Sequence, residues 1–441
     1  MSKIGLRLRR ARVVVWRWFA PGEVSKRWNH LNLYREVAWY GVLSGVSTTF
    51  TSVFALRLGA SNFLIGLLTS LPALINILFQ IPAARLVERE RDKKKVLLVS
   101  GFLMRLPVFL VALVPLLGKK HIQASAIVYI TALGTIPAAV STVSFTAMLA
   151  EVVAPQDRPR VVSMRNAFLS ATATAAVLLA GKALDSLPFP FGYQLIFALS
   201  FLASVVSLYY LGRVAIPQTE PVRLEQGQAD QRLGFRHLLR DVLAQRRYVR
   251  FTLGAFLYHW GLYFPIPLYA IYRVRTLQIS EGWIGILSMI ESGVTIVAYY
   301  AWGRFAQKHG SYRMLLLGLL GVCFYPIGTA LSRSAPPLLL VSFIAGIAGP
   351  AFNAGLFNGL LEVAPAERRA TYIAIFNTMM NIPAFIAPIL GTMAAGWLGI
   401  RTALWVGGFA RIVGFLAFAY LLLGSSRSLV RRFQHTLSKT K

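Results

Sequence analysis

Ala83-Ala-Arg-Leu-Val-Glu88-Arg89-Glu-Arg91-Asp92-Lys93-Lys94-Lys95 stands between two long apolar runs. At a constant offset of 219 positions the chain carries Trp302-Gly303-Arg304-Phe-Ala306-Gln307-Lys308-His309-Gly310-Ser-Tyr-Arg313, again between two apolar runs. The same offset aligns Ser61-Asn-Phe-Leu-Ile-Gly66 with Ser280-Glu-Gly-Trp-Ile-Gly285, at the start of the apolar run preceding each copy. A third match, Glu151-Val-Val-Ala-Pro155-Gln-Asp157-Arg158 with Glu362-Val-Ala-Pro365-Ala-Glu367-Arg368, appears at a slightly shorter offset, as loops of unequal length require. Self-similarity at a fixed period means two related halves.

The apolar runs say where the halves live. With 441 residues, 56% hydrophobic and 14% charged, and a mean hydropathy of +0.59, the chain cannot hide its apolar surface in one water-soluble core. It reads as a polytopic membrane protein. A membrane helix needs about 20 apolar residues. Twelve such runs occur, at 37–58, 62–82, 96–117, 124–150, 164–184, 194–214, 251–272, 283–303, 314–332, 337–361, 372–398 and 402–424.

A net charge of +30 would point to nucleic acid in a soluble protein, but position argues otherwise. Of the 46 Lys and Arg, 36 lie in seven segments: 1–35, 83–95, 151–165, 213–250, 304–313, 367–371 and 425–441. All seven fall on one side of the membrane. The opposite side carries Arg57, Lys119, Lys120, Lys182, Arg273, Arg275, Arg333 and Arg401, while Arg105 and Arg411 sit inside spans. This positive-inside pattern places both termini in the cytoplasm and excludes a nucleic-acid role. The one cysteine, Cys323, rules out a disulfide framework and reads as a packing residue.

Five segments follow. Residues 1–35 are a basic cytoplasmic segment whose apolar core is too short for a signal peptide. Its interleaved Trp16, Arg17 and Trp18 fit either an interfacial helix or a flexible tail. Residues 36–214 hold six spans, 215–249 form a cytoplasmic linker with a short amphipathic helix, 250–424 hold six more, and 425–441 are a tail. Because each half has an even number of spans, both insert in the same orientation, as parallel repeats about an axis along the membrane normal.

The duplicated loop resembles the signature of the major facilitator superfamily of secondary transporters, in which Gly, a small residue, an acid, a base and a second Gly precede basic residues. The second copy fits at Gly303, Ala306, Lys308, Gly310 and Arg313, with Gln307 in the acid's place. The first fits at Glu88, Arg89, Lys93 and Lys94, with Ala84 and Arg91 where glycines are usual. The resemblance covers residues 36–424. It implies an all-α fold of twelve transmembrane helices in two pseudo-symmetric six-helix bundles, a central substrate site, and a cytoplasmic latch. That latch would be built from Glu88, Arg89, Lys93, Glu151, Gly303, Lys308 and Glu362, whose charge pairs break and reform at modest cost. A fourth-span Arg and a fifth-span Gly-Pro, usual in proton-coupled drug antiporters, are both missing, which weakens a drug-efflux reading.

Ionisable groups inside a membrane are expensive and mark function by default. Of sixteen acids, Glu291 alone is expected deep in a span, where it could exchange a proton as water access alternates. In the resembled fold the first, fourth, seventh and tenth helices line the cavity, which brings in His259, Tyr263 and Asn353. Arg105 is a further cavity candidate, with a structural charge as the alternative. Asn76 and Gln80, and Asn377 and Asn381, each share a helix face. In the resembled fold those helices face each other across the halves, so they would form a polar seam that closes in the outward-facing state, or else bond within their own bundles.

No nucleotide-binding loop, metal-ligand cluster or Gly-x-Ser-x-Gly occurs, so neither catalysis nor a metal or cofactor is expected. The reading is a monomeric secondary transporter in the cytoplasmic membrane, taking a small solute with H+ as coupling ion. The alternative is a non-transporting protein of the same fold, used for sensing, scaffolding or lipid handling.

Overall fold

In the lipid core every backbone N–H and C=O needs an internal partner, so apolar runs of this length fold as helices. The computed structural model describes residues 24–90, 92–118, 120–154, 156–215, 241–365 and 368–437. In the first half α1 (Val24–Arg57) and α2 (Asn62–Arg89) are followed by a broken third rod, α3 (Lys93–Leu103) and α4 (Leu106–Leu113). Then come α5 (Lys120–Val152), α6 (Arg158–Ser186) and α7 (Phe191–Gly212). The second half has a broken seventh rod, α8 (Arg246–Tyr263) and α9 (Ile266–Ile271), then α10 (Glu281–His309), α11 (Ser311–Leu331), α12 (Ala335–Val363), α13 (Arg369–Leu398) and α14 (Ile400–Leu437).

Ten of these rods are long and apolar enough to cross a membrane. The other two are the first and the seventh. The former carries Arg35, Glu36 and a run of hydroxyls, and the latter is interrupted and carries Arg246, Arg247 and Arg250.

The first rod begins well before the expected start of its apolar run at residue 37. Its early turns are anchored: Asn29 Nδ2 donates to Ala215 O at 2.8 Å and Asn29 Oδ1 accepts from Ala215 N at 2.9 Å. This ties the entry of the half to its exit. Most of the basic amino-terminal segment and of the linker lies outside the described residues.

Within the first half α1 lies almost in contact with α6. A Cβ on Gly41 would stand 2.9 Å from Leu169 O, and one on Gly45 would stand 2.6 Å from Ala173 O. Small residues permit such approach, which is how helices associate where water supplies no hydrophobic drive. Single residues suffice to turn α10 into α11 and α13 into α14, because Gly310 and Gly399 take φ of +86° and +83°.

Prolines disturb the rods unequally. Pro72, Pro137 and Pro383 sit inside continuous helices, whereas Pro265 and Pro267 in the seventh rod, and Pro107 in the third, accompany a break. A proline deprives the carbonyl four residues earlier of its donor. Pro265 so strips Gly261 O, and Pro326 strips Val322 O. Arg411 repairs both: Nε donates to Gly261 O at 3.0 Å, Nη1 to Val322 O at 2.8 Å, and Nη2 to Leu262 O at 2.9 Å. Instead of snorkelling toward water, this buried arginine splints the seventh and ninth rods from the twelfth.

The halves meet where α2 packs on α13 and α6 on α10. One apolar core draws residues from both halves, from Phe50, Phe54 and Ile65 to Leu268, Ile284 and Leu404, at the end opposite the basic loops. At the basic end the core divides. One cluster, around Leu33, Leu97 and Met148, belongs wholly to the first half, and another, around Tyr248, Leu315 and Phe376, wholly to the second. The halves are thus shut together through one core at the end away from the basic loops and keep separate cores at the end that carries them.

Candidate functional site

Polar contacts fasten the shut end. Arg57, at the end of α1, donates through Nε to Glu281 Oε1 at 2.9 Å, and Tyr193 OH donates to the same oxygen at 2.7 Å. Asp185 accepts from Ser280 Oγ at 3.0 Å and from Gly282 N at 3.1 Å, so an acid of the first half sits on the amino terminus of α10, where a negative charge is favoured. Arg275 donates to Asn62 Oδ1 at 2.5 Å and to Ala60 O. Beside Arg57 and Glu281 a cleft of about 330 Å³ is walled by Leu184, Leu187, Phe189 and Tyr193.

In the second half Glu291 is partly buried near the middle of α10. The charge that bears on it is Arg273, whose Nη2 donates to Tyr325 OH at 2.7 Å. Arg273 was expected on the external surface. It instead lies in a short π turn, Tyr272–Thr276, that continues the seventh rod and keeps it partly buried. His259 is 5% exposed, with Nδ1 2.6 Å from Ala255 O. Its ring lies 5.7 Å from that of Tyr263 and 6.0 Å from that of Phe352. The structure thus joins His259 and Tyr263 in one aromatic cluster against α12, where Asn353, next to Phe352, is exposed. It shows no hydrogen bond between His259 and Glu291 among the described residues.

The first half corrects the expectation that one acid lies deep. Glu36 is 4% exposed, because α1 starts twelve residues before it and carries it inside the bundle. Arg165 Nη2 donates to Glu36 Oε2 at 2.8 Å, and Arg105 Nη2 lies 3.9 Å from Oε1. Arg105, 3% exposed, also donates to Gly101 O at 2.6 Å and to Ser207 Oγ at 3.0 Å, and stacks over Tyr40 at 5.2 Å. These partners of Arg105 belong to its own half. It is placed as an internal charge, not as a wall of the space between halves. Sequence reasoning missed Glu36 because Arg35-Glu36 reads as a span boundary. The clue was the polar run that continues past it, from Tyr40 through Thr51.

At the basic end the side chains of Glu88, Arg89 and Lys93 lie outside the described residues. Gly303 and Lys308 are exposed, and a Cβ on Gly303 would meet nothing within 4 Å. Glu151 and Glu362 are exposed, and the charge of Glu362 bears on Tyr312 of its own half. Gln80 and Asn377 are exposed, Asn76 is partly buried, and Asn381 Nδ2 donates to Asn377 O of its own helix at 3.0 Å.

Two stretches, residues 38–273 and 251–437, match the family model described as Major Facilitator Superfamily. Over 146 residues the chain is 27% identical to a Na(+), Li(+), K(+)/H(+) antiporter of Planococcus maritimus, covering 32% of this chain and 34% of that protein. Over 156 residues it is 26% identical to a staphyloferrin B transporter of Staphylococcus aureus (strain NCTC 8325 / PS 47), covering 34% and 37%. The match thus spans about a third of the length of these relatives. Among solved structures, a bacterial homolog of the human lysosomal transporter Spinster, inward-facing and unoccupied, superposes with a TM-score of 0.68 at 14% identity over 91% of this chain and 98% of that one. A D-xylose–proton symporter does so with 0.67 at 17% identity over 89% and 96%. With its duplicated six-rod halves and both family matches, the chain belongs to the Major Facilitator Superfamily and is a multi-pass integral membrane protein.

Proposed function

We propose that the protein is a secondary transporter that moves a small solute by alternating access, coupled to protons through Glu291. The observation that carries this is the unequal joint between the halves: one shared core and seven cross-half hydrogen bonds among the described residues at the outer end, two separate cores at the inner end. Rocking about that joint exchanges which end is parted, the shear and hinge motion open to packed helices. A Glu in the path, beside Arg273 and Tyr325, can hand its proton to whichever side is wet. The similarity to a cation/proton antiporter and to a proton symporter supports proton coupling.

The test is flux in liposomes under an imposed pH step, for solutes first found by thermal shift. Glu291→Gln should lower proton-driven flux more than about tenfold while solute binding persists. Unchanged proton-driven flux removes Glu291 from the coupling role.

The seam is tested separately. Cysteines at Gln80 and Asn381 should cross-link when the protein is trapped outward-open and stay apart otherwise. Cys323, the one native cysteine, is 2% exposed and adds little background. Absence of a cross-link in every trapped state disposes of the seam.

A further inference from the structure

The two arginines at the outer end, 218 positions apart, lie within one residue of corresponding places. Arg57 ends α1, reaches into the second half, and touches the Glu281 side chain and, at 3.4 Å, Ile279 O. Arg275 ends the seventh rod, reaches into the first half, and touches the Asn62 side chain and Ala60 O. Glu281 and Asn62 are 219 positions apart, and so are Ile279 and Ala60. The residues between them, Ser280 and Ser61, cap α10 and α2 in the same way, through Trp283 N and Leu64 N. The two contacts are copies of one clasp, made twice by the internal duplication.

Their chemistry has diverged. The Glu281 copy is an ion pair whose side chains are 33% and 11% exposed. It is reinforced by the Tyr193 hydroxyl and, through Ser280 and Gly282, by Asp185. The Asn62 copy pairs its arginine with a neutral amide. Both bonds have a charged donor, but in partial shelter a cation bonded to a carboxylate is held more strongly than one bonded to a neutral amide.

We infer that these clasps are the outer gate of the transport cycle and are unequal in strength: the Glu281 clasp holds the gate shut, and the Asn62 clasp yields first. This rests on the alternating-access reading above. Opening outward requires both arginines to leave the opposite half, so charge placed on either clasp sets the balance between states.

Spin labels on two exposed outer positions, Leu116 of the first half and Arg333 of the second, report that balance as a distance distribution by double electron–electron resonance. Glu281→Gln should raise the outward-open share about fivefold, and Asn62→Asp should lower it by a similar factor. Combining them moves the charge from one clasp to the other and should bring the distribution back toward that of the unmodified protein. Should Glu281→Gln fail to fold, Arg57→Gln removes the same pair from its other side with the same expectation. Distances unmoved by all these changes, or a Glu281→Gln shift toward closure, would overturn the gate. Because the distances are read without solute, shifted distances with no flux for any solute would count against transport alone and leave the gate standing.

Discussion

Glu36→Ala is expected to cost the purified protein about 3–5 kcal/mol of stability, the usual penalty for removing one partner of a buried ion pair. The loss should appear as a lower melting temperature in detergent, with helical content at low temperature unchanged. The size follows from what is left behind. Arg105 and Arg165 would keep two positive charges inside one bundle with no anion, and two of their N–H groups, Arg105 Nε and Arg165 Nη1, already lack partners among the described residues. Replacing all three charged residues with apolar ones of similar volume should recover most of the loss, because the desolvation cost of the ions goes with them. A melting temperature that Glu36→Ala leaves in place would mean that the three groups are wetter than their geometry implies.

Arg411→Met should cost a similar amount, about 3–5 kcal/mol, for a different reason. The deleted guanidinium serves Gly261 O, Leu262 O and Val322 O, and a buried carbonyl left without a donor costs about 1–3 kcal/mol. Arg411→Lys should fall between, since one ammonium cannot reach three acceptors as a planar fork does. Adding Pro265→Ala and Pro326→Ala to Arg411→Met gives two of the three carbonyls their own backbone donors. Partial recovery is therefore expected, read as a rise in melting temperature over the single variant. No recovery would show that Arg411 acts through its charge and not through those carbonyls.

How much of this could be read beforehand differs residue by residue. The duplication was visible because loops and caps repeat at one spacing; the strings at Ser61 and Ser280 turned out to mark helix caps as well as span starts. The common orientation expected of the halves came from the even number of spans in each, a count of apolar runs that needs no side-chain contacts. Glu36 escaped because hydropathy treats a charged pair as an edge, while its partner Arg165 lies 129 positions away. The clasp arginines looked like loop charges: a linear reading puts them at a water interface but cannot say that each crosses to the other half. Arg411 was legible as a buried charge, yet its acceptors became apparent only once the prolines of two other rods were seen to face it. The latch stays an expectation carried by its motif, since the side chains of Glu88, Arg89 and Lys93 fall outside the described residues.

The two internal arginine sites also differ in the order in which a ribosome delivers their parts. Gly261, Leu262 and Val322 are synthesised before Arg411, so the last span meets waiting acceptors as it leaves the translocon. Glu36 has the reverse schedule: it enters the bilayer with the first span, long before Arg105 and Arg165 exist. A nascent chain stalled after its second span would therefore hold an uncompensated carboxylate in lipid. The first span has reason to linger beside the insertion machinery until the fifth arrives.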